Sequence, residues 1–379
     1  MRVAIDYTPA VYQGAGIGRF VRSLVNALAE IDRDTEYVLV YADPPRGGRP
    51  KLPQAANFTG CRIPIPDRAL TVMWHRLSIP VPVDLLTGRV DVFHSPNFVL
   101  APVWRAATVL TVHDLAFLMR PECADTKLRD YLEKTVPRSV TRANFILADS
   151  ENTRDDLICL LGVPPAKVEV VPGGVDPGFA PVLDPDVLDQ MRQRVSGGAR
   201  FILSVGVIEP RKNLVRLIEA FEMLKTRVDL PHKLVLAGKR GWLSDPIYRR
   251  AQSSPLASEI LFPGYIQDVD LPALYSAADL FAFPSLYEGF GLPPLEAMAC
   301  GTPVVASNSS SLPEVVGEAA LSVEAESTEE LAAAMAKPFE DSELRDRMVA
   351  AGLEQSRHYT WRSAAEKMLA VYRRLGDRG

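Results

Sequence analysis

The chain has 379 residues, more than one hydrophobic core usually organises, so two domains are expected. It is 47% hydrophobic and 23% charged, the composition of a folded globular protein, and its net charge of −5 argues against non-specific nucleic-acid binding. The cysteines Cys61, Cys123, Cys159 and Cys300 lie too far apart for a CxxC metal or redox motif and fit a reducing compartment. With a strand pattern starting at Val3, no secretory leader is expected, and no apolar run nears the ~20 residues of a membrane span. A cytoplasmic protein is the expectation.

Short β-branched apolar runs alternate with helical patterns, the mark of parallel α/β layers. In the first half, strands are predicted at Val3–Ile5, Tyr37–Tyr41, Val90–His94, Val109–His113 and Phe145–Ala148. A helix between the first two carries Phe20, Leu24, Leu28 and Ile31 on one stripe. Trp74-His-Arg-Leu77 with Ile79-Pro-Val-Pro-Val83 reads as a buried strand and turn, the alternative being contact with a membrane or a lipid-linked acceptor. Pro172, Pro177, Pro181 and Pro185, then Gly197-Gly198, punctuate a linker placed at 179–198. Strands then restart at Phe201–Val205, Lys233–Ala237, Ile260–Phe262, Leu280–Ala282 and Pro303–Ala306, with Leu214, Ile218 and Phe221 striping a helix. Ser327-Thr-Glu-Glu330 reads as a capping box, and Thr360 as the cap of a last helix with Trp361, Ala365, Met368 and Tyr372 on one side. The expected fold class is α/β: two Rossmann-like domains, 1–178 and 199–359, facing each other across a cleft.

The strongest chemical signal is Glu288-Gly-Phe-Gly-Leu-Pro-Pro-Leu-Glu296, between a strand and a helix. Gly289 and Gly291 let bare backbone approach a ligand, and the helix N-terminus after them suits a phosphate. The two flanking carboxylates suit hydroxyl pairs of ribose and sugar; for Glu296 a place in the helix's first turn is the simpler competing reason. The second signal is Gly206-Val-Ile-Glu209-Pro-Arg211-Lys212-Asn213, ending the second half's first strand. Cations just before or within a helix's first turn cost roughly 0.3–1 kcal/mol each unless an anion binds there. Arg211 can clamp a diphosphate bidentately and Lys212 adds a point charge.

Gly14-Ala-Gly16-Ile-Gly18-Arg19 lacks the third glycine of a dinucleotide fingerprint, so hydride transfer is disfavoured. It is either a cover over a diphosphate or acceptor, or a tight strand-to-helix connection. His94 reads as a structural strand-end hydrogen-bonder; His113, closing an apolar strand, is placed to orient a sugar hydroxyl. Asp268-Val-Asp270 matches the DxD metal pattern, but helix capping explains it more simply, and no metal is expected.

Together these segments resemble the family-4 retaining glycosyltransferases. The resemblance spans most of the chain and is densest from Ile202 to Val323: Gly206…Arg211-Lys212-Asn213, Leu236-Ala-Gly238, Phe262-Pro-Gly264-Tyr265, Tyr275-Ser-Ala-Ala-Asp279 and Glu288…Glu296, in order. The first half adds Gly16-Ile-Gly18-Arg19, His113-Asp114, Ala148-Asp-Ser150 and Val171-Pro-Gly-Gly-Val175-Asp176. It implies the GT-B architecture, with a C-terminal helix, 360–379, crossing back to the acceptor-binding N-terminal domain. It further implies that Arg211 and Lys212 hold the donor diphosphate and that Glu296 bonds the ribose. Glu288 with the backbone of Gly289, Phe290, Gly291 and Leu292 would hold the hexose, and Tyr265 and Ile266 would meet the base. Gly16 and His113 would approach from the N-terminal domain. The family retains anomeric configuration without a metal or other cofactor. The Gly-Ile-Gly-Arg start looks like bacterial surface-polysaccharide mannosyltransferases, implying GDP-mannose as donor and a glycan or lipid-linked acceptor, with peripheral contact at the inner membrane face. A nucleotide-sugar epimerase and a non-catalytic nucleotide-sugar-binding protein are the competing readings.

Overall fold

A computed structural model describes residues 1–14, 16–44, 50–77 and 79–376, apart from the side chain of His75. The chain divides into two units: Met1–Leu115 with Asp130–Gly174 and Thr360–Gly379, and Ala116–Arg129 with Val175–Tyr359.

In the first unit the strands are β1 (Arg2–Asp6), β2 (Glu36–Ala42), β3 (Phe58–Ile63), β4 (Val92–Ser95), β5 (Ala107–Val112), β6 (Phe145–Ala148) and β7 (Val168–Val170). They form one parallel sheet in the order β3-β2-β1-β4-β5-β6-β7. Order reverses between β1 and β4, so a crevice opens at their carboxyl ends, where ligands of open α/β sheets bind. The helix Ile17–Ile31 buries Phe20, Leu24 and Leu28 as its stripe predicted. The last helix, Trp361–Gly376, buries Trp361, Ala365, Met368 and Tyr372, and the Thr360 hydroxyl accepts from the Ser363 amide at 3.2 Å as a cap. At Gly174 an added Cβ would lie 2.2 Å from the Trp361 backbone nitrogen, so only glycine permits this approach of the two segments.

In the second unit the strands are β8 (Phe201–Val205), β9 (Lys233–Ala237), β10 (Ile260–Gly264), β11 (Leu280–Phe283), β12 (Val304–Ser307) and β13 (Ala320–Val323). The sheet, again parallel, runs β10-β9-β8-β11-β12-β13. Alternate residues feed two cores: Phe201, Leu203, Val235, Phe281 and Phe283 on one face, Ile202, Leu234, Leu236, Leu280 and Ala282 on the other. A sheet covered on both faces reads as a continuous apolar run, which is why these strands were legible.

Four expectations need correction. Segment 179–198 is not a linker: Asp184 caps a helix, Pro185–Ser196, whose Met191 and Val195 belong to the second unit's core. Ala116–Arg129 groups with the second unit, where the Cys123 carbonyl accepts from Trp242 Nε1 at 2.8 Å. The described residues between Trp74 and Val83 form no strand; a π-helical turn, Val72–Arg76, precedes exposed Leu77, Ile79 and Val81. Asp268 and Asp270 cap nothing: Asp268 accepts from the Tyr265 hydroxyl at 3.2 Å, and Asp270 pairs with Arg194 at 2.7 Å. The Ser327 cap forms, but Glu330 reaches back to the Glu324 amide rather than to Ser327 itself.

Candidate active site

In the second sheet, order reverses between β8 and β11, and these two strands lead into the two loops singled out from sequence. The loops are stitched by backbone: the Leu286 amide donates to the Arg211 carbonyl at 2.9 Å. Pro210–Lys212 forms a separate tight turn, so the cations precede the helix Leu214–Arg227 rather than opening it. Asn213, with φ +57°, joins the two and donates its Nδ2 to the carbonyls of Pro284 and Ala325 at 3.0 and 2.7 Å.

Four charged groups meet there. Arg211 Nη1 donates to Glu288 Oε2 at 2.7 Å and to the Tyr287 carbonyl at 2.8 Å, and its Nη2 donates to Glu209 Oε1 at 2.8 Å. Lys212 Nζ donates to Glu288 Oε1 at 2.6 Å and stands 4.8 Å over the Phe283 ring. Burial pushes the Glu288 carboxyl up, but Arg211 and Lys212 outweigh it and hold the group at about 2. Lys212 is lowered, burial outweighing the attraction of Glu288, with Arg211 adding to the shift. Desolvated pairs of this kind are stable only while every partner is present. Two cations facing two carboxylates are locally neutral, so a diphosphate would compete with Glu288 for Lys212 and Arg211. What the pair can supply is charge stabilisation of a leaving phosphate in a water-poor site.

The rest of the Glu288–Glu296 segment is clamped from β12. The Ser310 hydroxyl, on a residue with φ +51°, accepts from the Glu288 amide at 2.7 Å. The Ser311 hydroxyl lies 2.9 and 2.6 Å from the carbonyls of Glu288 and Phe290. Gly291 adopts φ +126°, and a Cβ there would meet Leu312 at 2.8 Å. Gly289 and Phe290 are buried, and Leu292 begins the helix Leu292–Ala299. Glu296 falls in that helix's second turn, so a first-turn dipole preference does not explain it; its buried carboxylate accepts from the Tyr275 hydroxyl at 3.0 Å. Gly206 lies against the Lys212 side chain, and a Cβ on Gly238 would fall 1.7 Å from the Gly206 carbonyl oxygen. Tyr265 is exposed beneath Lys239, 4.5 Å from its ring, while Ile266 is buried in the core. Asn213, quoted in the motif without a role, and the serines after β12, not noticed at all, bond groups distant in sequence, whereas Glu209, also given no role, bonds Arg211 two residues on and was open to a local reading.

In the first unit Gly16, φ +59°, caps the helix Ile17–Ile31 with nothing within 4 Å of an added Cβ; Ala15 beside it lies outside the described residues. Its partner in the reading, His113, is not a free imidazole. Its Nδ1 faces Asp149 Oδ2 at 2.7 Å and its Nε2 the Pro96 carbonyl at 2.9 Å, with Phe20 and Phe98 edge-on. Burial alone would lower His113, but Asp149 outweighs it, and the pKa is raised. With a partner on each ring nitrogen, His113 is held as a positioning group rather than open to a sugar hydroxyl. His94 is structural, bonded to Tyr372 at 2.6 Å and Thr111 at 2.8 Å, and burial drives its pKa down to about 3. Asp6, at the carboxyl end of β1, went unnoticed in the sequence; burial raises it to about 6, against its hydrogen bonds to Thr8.

Comparison with known proteins gives this geometry a family. Residues 14–179 match the pattern described as Glycosyltransferase Family 4, and residues 189–355 that described as Glycosyl transferases group 1. The chain is 30% identical over 387 residues to the O-antigen chain mannosyltransferase B of Escherichia coli, covering 99% of this chain and all of that protein. Among solved structures, sucrose-phosphate synthase from Thermosynechococcus elongatus superposes with a TM-score of 0.78 at 20% identity, covering 100% of both chains. HepE of Anabaena in complex with UDP-glucose gives 0.71 at 18% identity, covering 98% of each. The chain therefore belongs to the family-4, group 1 glycosyltransferases and has their GT-B fold of two Rossmann-like units.

Proposed function

We propose that this glycosyltransferase moves a hexose, mannose from GDP-mannose as first choice, from a nucleotide-diphosphate sugar to a hydroxyl of a glycan or lipid-linked acceptor. The carrying observation is the constellation of half-buried Arg211 and Lys212 with buried Glu288 at the second sheet's switch point. The mannosyl choice draws support from the O-antigen mannosyltransferase that the chain resembles along its length. In this reading the diphosphate displaces Glu288 from Lys212 and Arg211, which then stabilise the charge that grows as the nucleotide leaves. Glu288, released from the cations, and the Gly289–Leu292 backbone meet the hexose, Glu296 the ribose, and Tyr265 and Ile266 the base. The departing phosphate takes the acceptor proton, so transfer proceeds with retention and with no metal or protein base.

Thermal-shift screening with GDP-, UDP-, ADP- and dTDP-sugars, with and without chelator, tests the donor. GDP-mannose is expected to stabilise the protein most, unaffected by chelator; no stabilisation by any sugar nucleotide overturns the reading. NMR of the product with an α-linked donor is expected to show an α-linkage, and a β-linked product overturns retention.

A further inference from the structure

At the first sheet's switch point β1 and β4 lie side by side with Ile5 opposite His94, so the next residues in register are Asp6 and Ser95. Neighbouring strands run about 4.8 Å apart, and residues opposite each other share a face of the sheet. His94 and Thr111 bond each other on one face, so Asp6 and Ser95, one residue further along, stand together on the other. The Ser95 hydroxyl is 1% exposed and has no hydrogen-bond partner among the described residues. A buried hydroxyl left unpaired costs stability, and native chains rarely keep one without a use. Two residues on, the half-buried Asn97 side chain also makes no hydrogen bond among the described residues.

These groups are held in place by their surroundings. Asp6 Oδ1 accepts from the Thr8 amide at 2.9 Å. The turn leaving β4 is pinned at both ends: the Pro96 carbonyl lies 2.9 Å from His113 Nε2, and the Phe98 amide donates to the Thr111 carbonyl at 2.9 Å. Phe98 has φ +52°, a strained conformation for a bulky side chain, and such strain gathers at ligand sites. His113 therefore positions the turn that carries Ser95 and Asn97. The charge at Asp6 is acidic. Burial raises its carboxyl to about 6, against its bonds to Thr8, and the charge of Asp67 adds to the rise. Burial also raises Asp67, and burial with Asp67 beside it raises the Tyr131 phenol to about 12, so that phenol keeps its proton. Arg76 acts on Tyr131 and not on Asp6. A carboxyl, a hydroxyl and an amide side by side both accept from and donate to hydroxyl groups. Two carboxyls close together repel a phosphate.

We infer that Asp6, Ser95 and Asn97 form a specificity-determining acceptor subsite that takes an uncharged sugar by two neighbouring hydroxyls and refuses a phosphorylated one. The inference rests on the transfer reading above and narrows its acceptor to the uncharged end of a glycan. The test reads binding without donor, by saturation-transfer NMR on the full chain. The probes are the methyl glycosides of mannose, glucose, galactose and N-acetylglucosamine, with mannose 6-phosphate and glucose 6-phosphate beside them. At least one methyl glycoside is expected to bind, and neither phosphate ester. Asp6→Ala and Ser95→Ala should each weaken that binding by about tenfold or more while stabilisation by sugar nucleotides stays as in the wild type. Because its hydroxyl is unpaired, Ser95→Ala should keep or raise the melting temperature, whereas loss of a merely structural hydroxyl would lower it. Should Asp6→Ala unfold, Ser95→Ala alone decides. No glycoside binding, binding unmoved by Ser95→Ala, or equal binding of the phosphate esters overturns the inference. Glycoside binding that Ser95→Ala removes, in a protein that no sugar nucleotide stabilises, would uphold the sugar site and overturn only the transfer reading.

Discussion

At the residue scale, the weight rests on four charges from two distant loops, Glu209 and Glu288 buried and Arg211 and Lys212 half-buried. Lys212→Ala removes the point charge aimed at a leaving phosphate and is expected to lower kcat at saturating donor by 10²-fold or more; a loss of only a few-fold would remove Lys212 from the machinery. Glu209 holds the second Arg211 nitrogen, so Glu209→Gln is expected to reduce kcat more than donor KM while leaving the fold intact. Glu288 carries a pH signature. Its folded pKa, about 2, is below the ordinary 4.5, so its stabilisation is fully present above 4.5 and is lost as pH falls through about 2. Melting temperature followed downward in pH should show that loss. Glu288→Gln should lower stability at neutral pH, by about 3–5 kcal/mol for an orphaned buried pair, yet flatten the acid limb. His113 has the opposite sign. Its raised pKa means that stabilisation by Asp149 is complete below about 6.5 and fades as pH rises through the folded value.

At the scale of elements, the loops are positioned by close backbone approaches that a sequence shows only as glycines. Gly238 touches the Gly206 carbonyl, so Gly238→Ala must displace the loop after β8, with Arg211 and Lys212, from its place beside the loop after β11. Donor affinity measured by calorimetry is expected to fall at least tenfold, well beyond any change in melting temperature; unchanged affinity would show that the loop adapts. The central strands were legible because both faces are buried and apolar. Missed were β3 and β13, which are edge strands with polar residues, and β7, which has three residues. The proline-rich stretch read as a linker hid a helix, because its stripe, with Met191 and Val195 buried, is narrow among charges. Proline at a helix's first positions punctuates without breaking it.

For the whole molecule, the units are not contiguous in sequence: Thr360–Gly379 completes the first. Truncation after Tyr359 would strip Trp361, Met368, Leu369 and Tyr372 from its core and leave His94 without its 2.6 Å partner. At about 1.5–3 kcal/mol for each large apolar side chain, that loss rivals a typical total stability of 5–15 kcal/mol. The truncated chain is expected to lose proteolytic protection across residues 1–115; a protected first unit would show the helix to be dispensable.

Local chemistry by itself determined the α/β class, the family resemblance and the choice of Arg211, Lys212, Glu288 and Glu296, since strand periodicity and motif spacing are local properties. Tertiary structure alone decided what those groups face. Arg211 and Lys212 are neutralised by Glu288 and Glu209, His113 is locked to Asp149 and Pro96, and Glu296 answers to Tyr275. Each pairing depends on burial and on strands brought side by side from distant sequence, and no spacing rule encodes either.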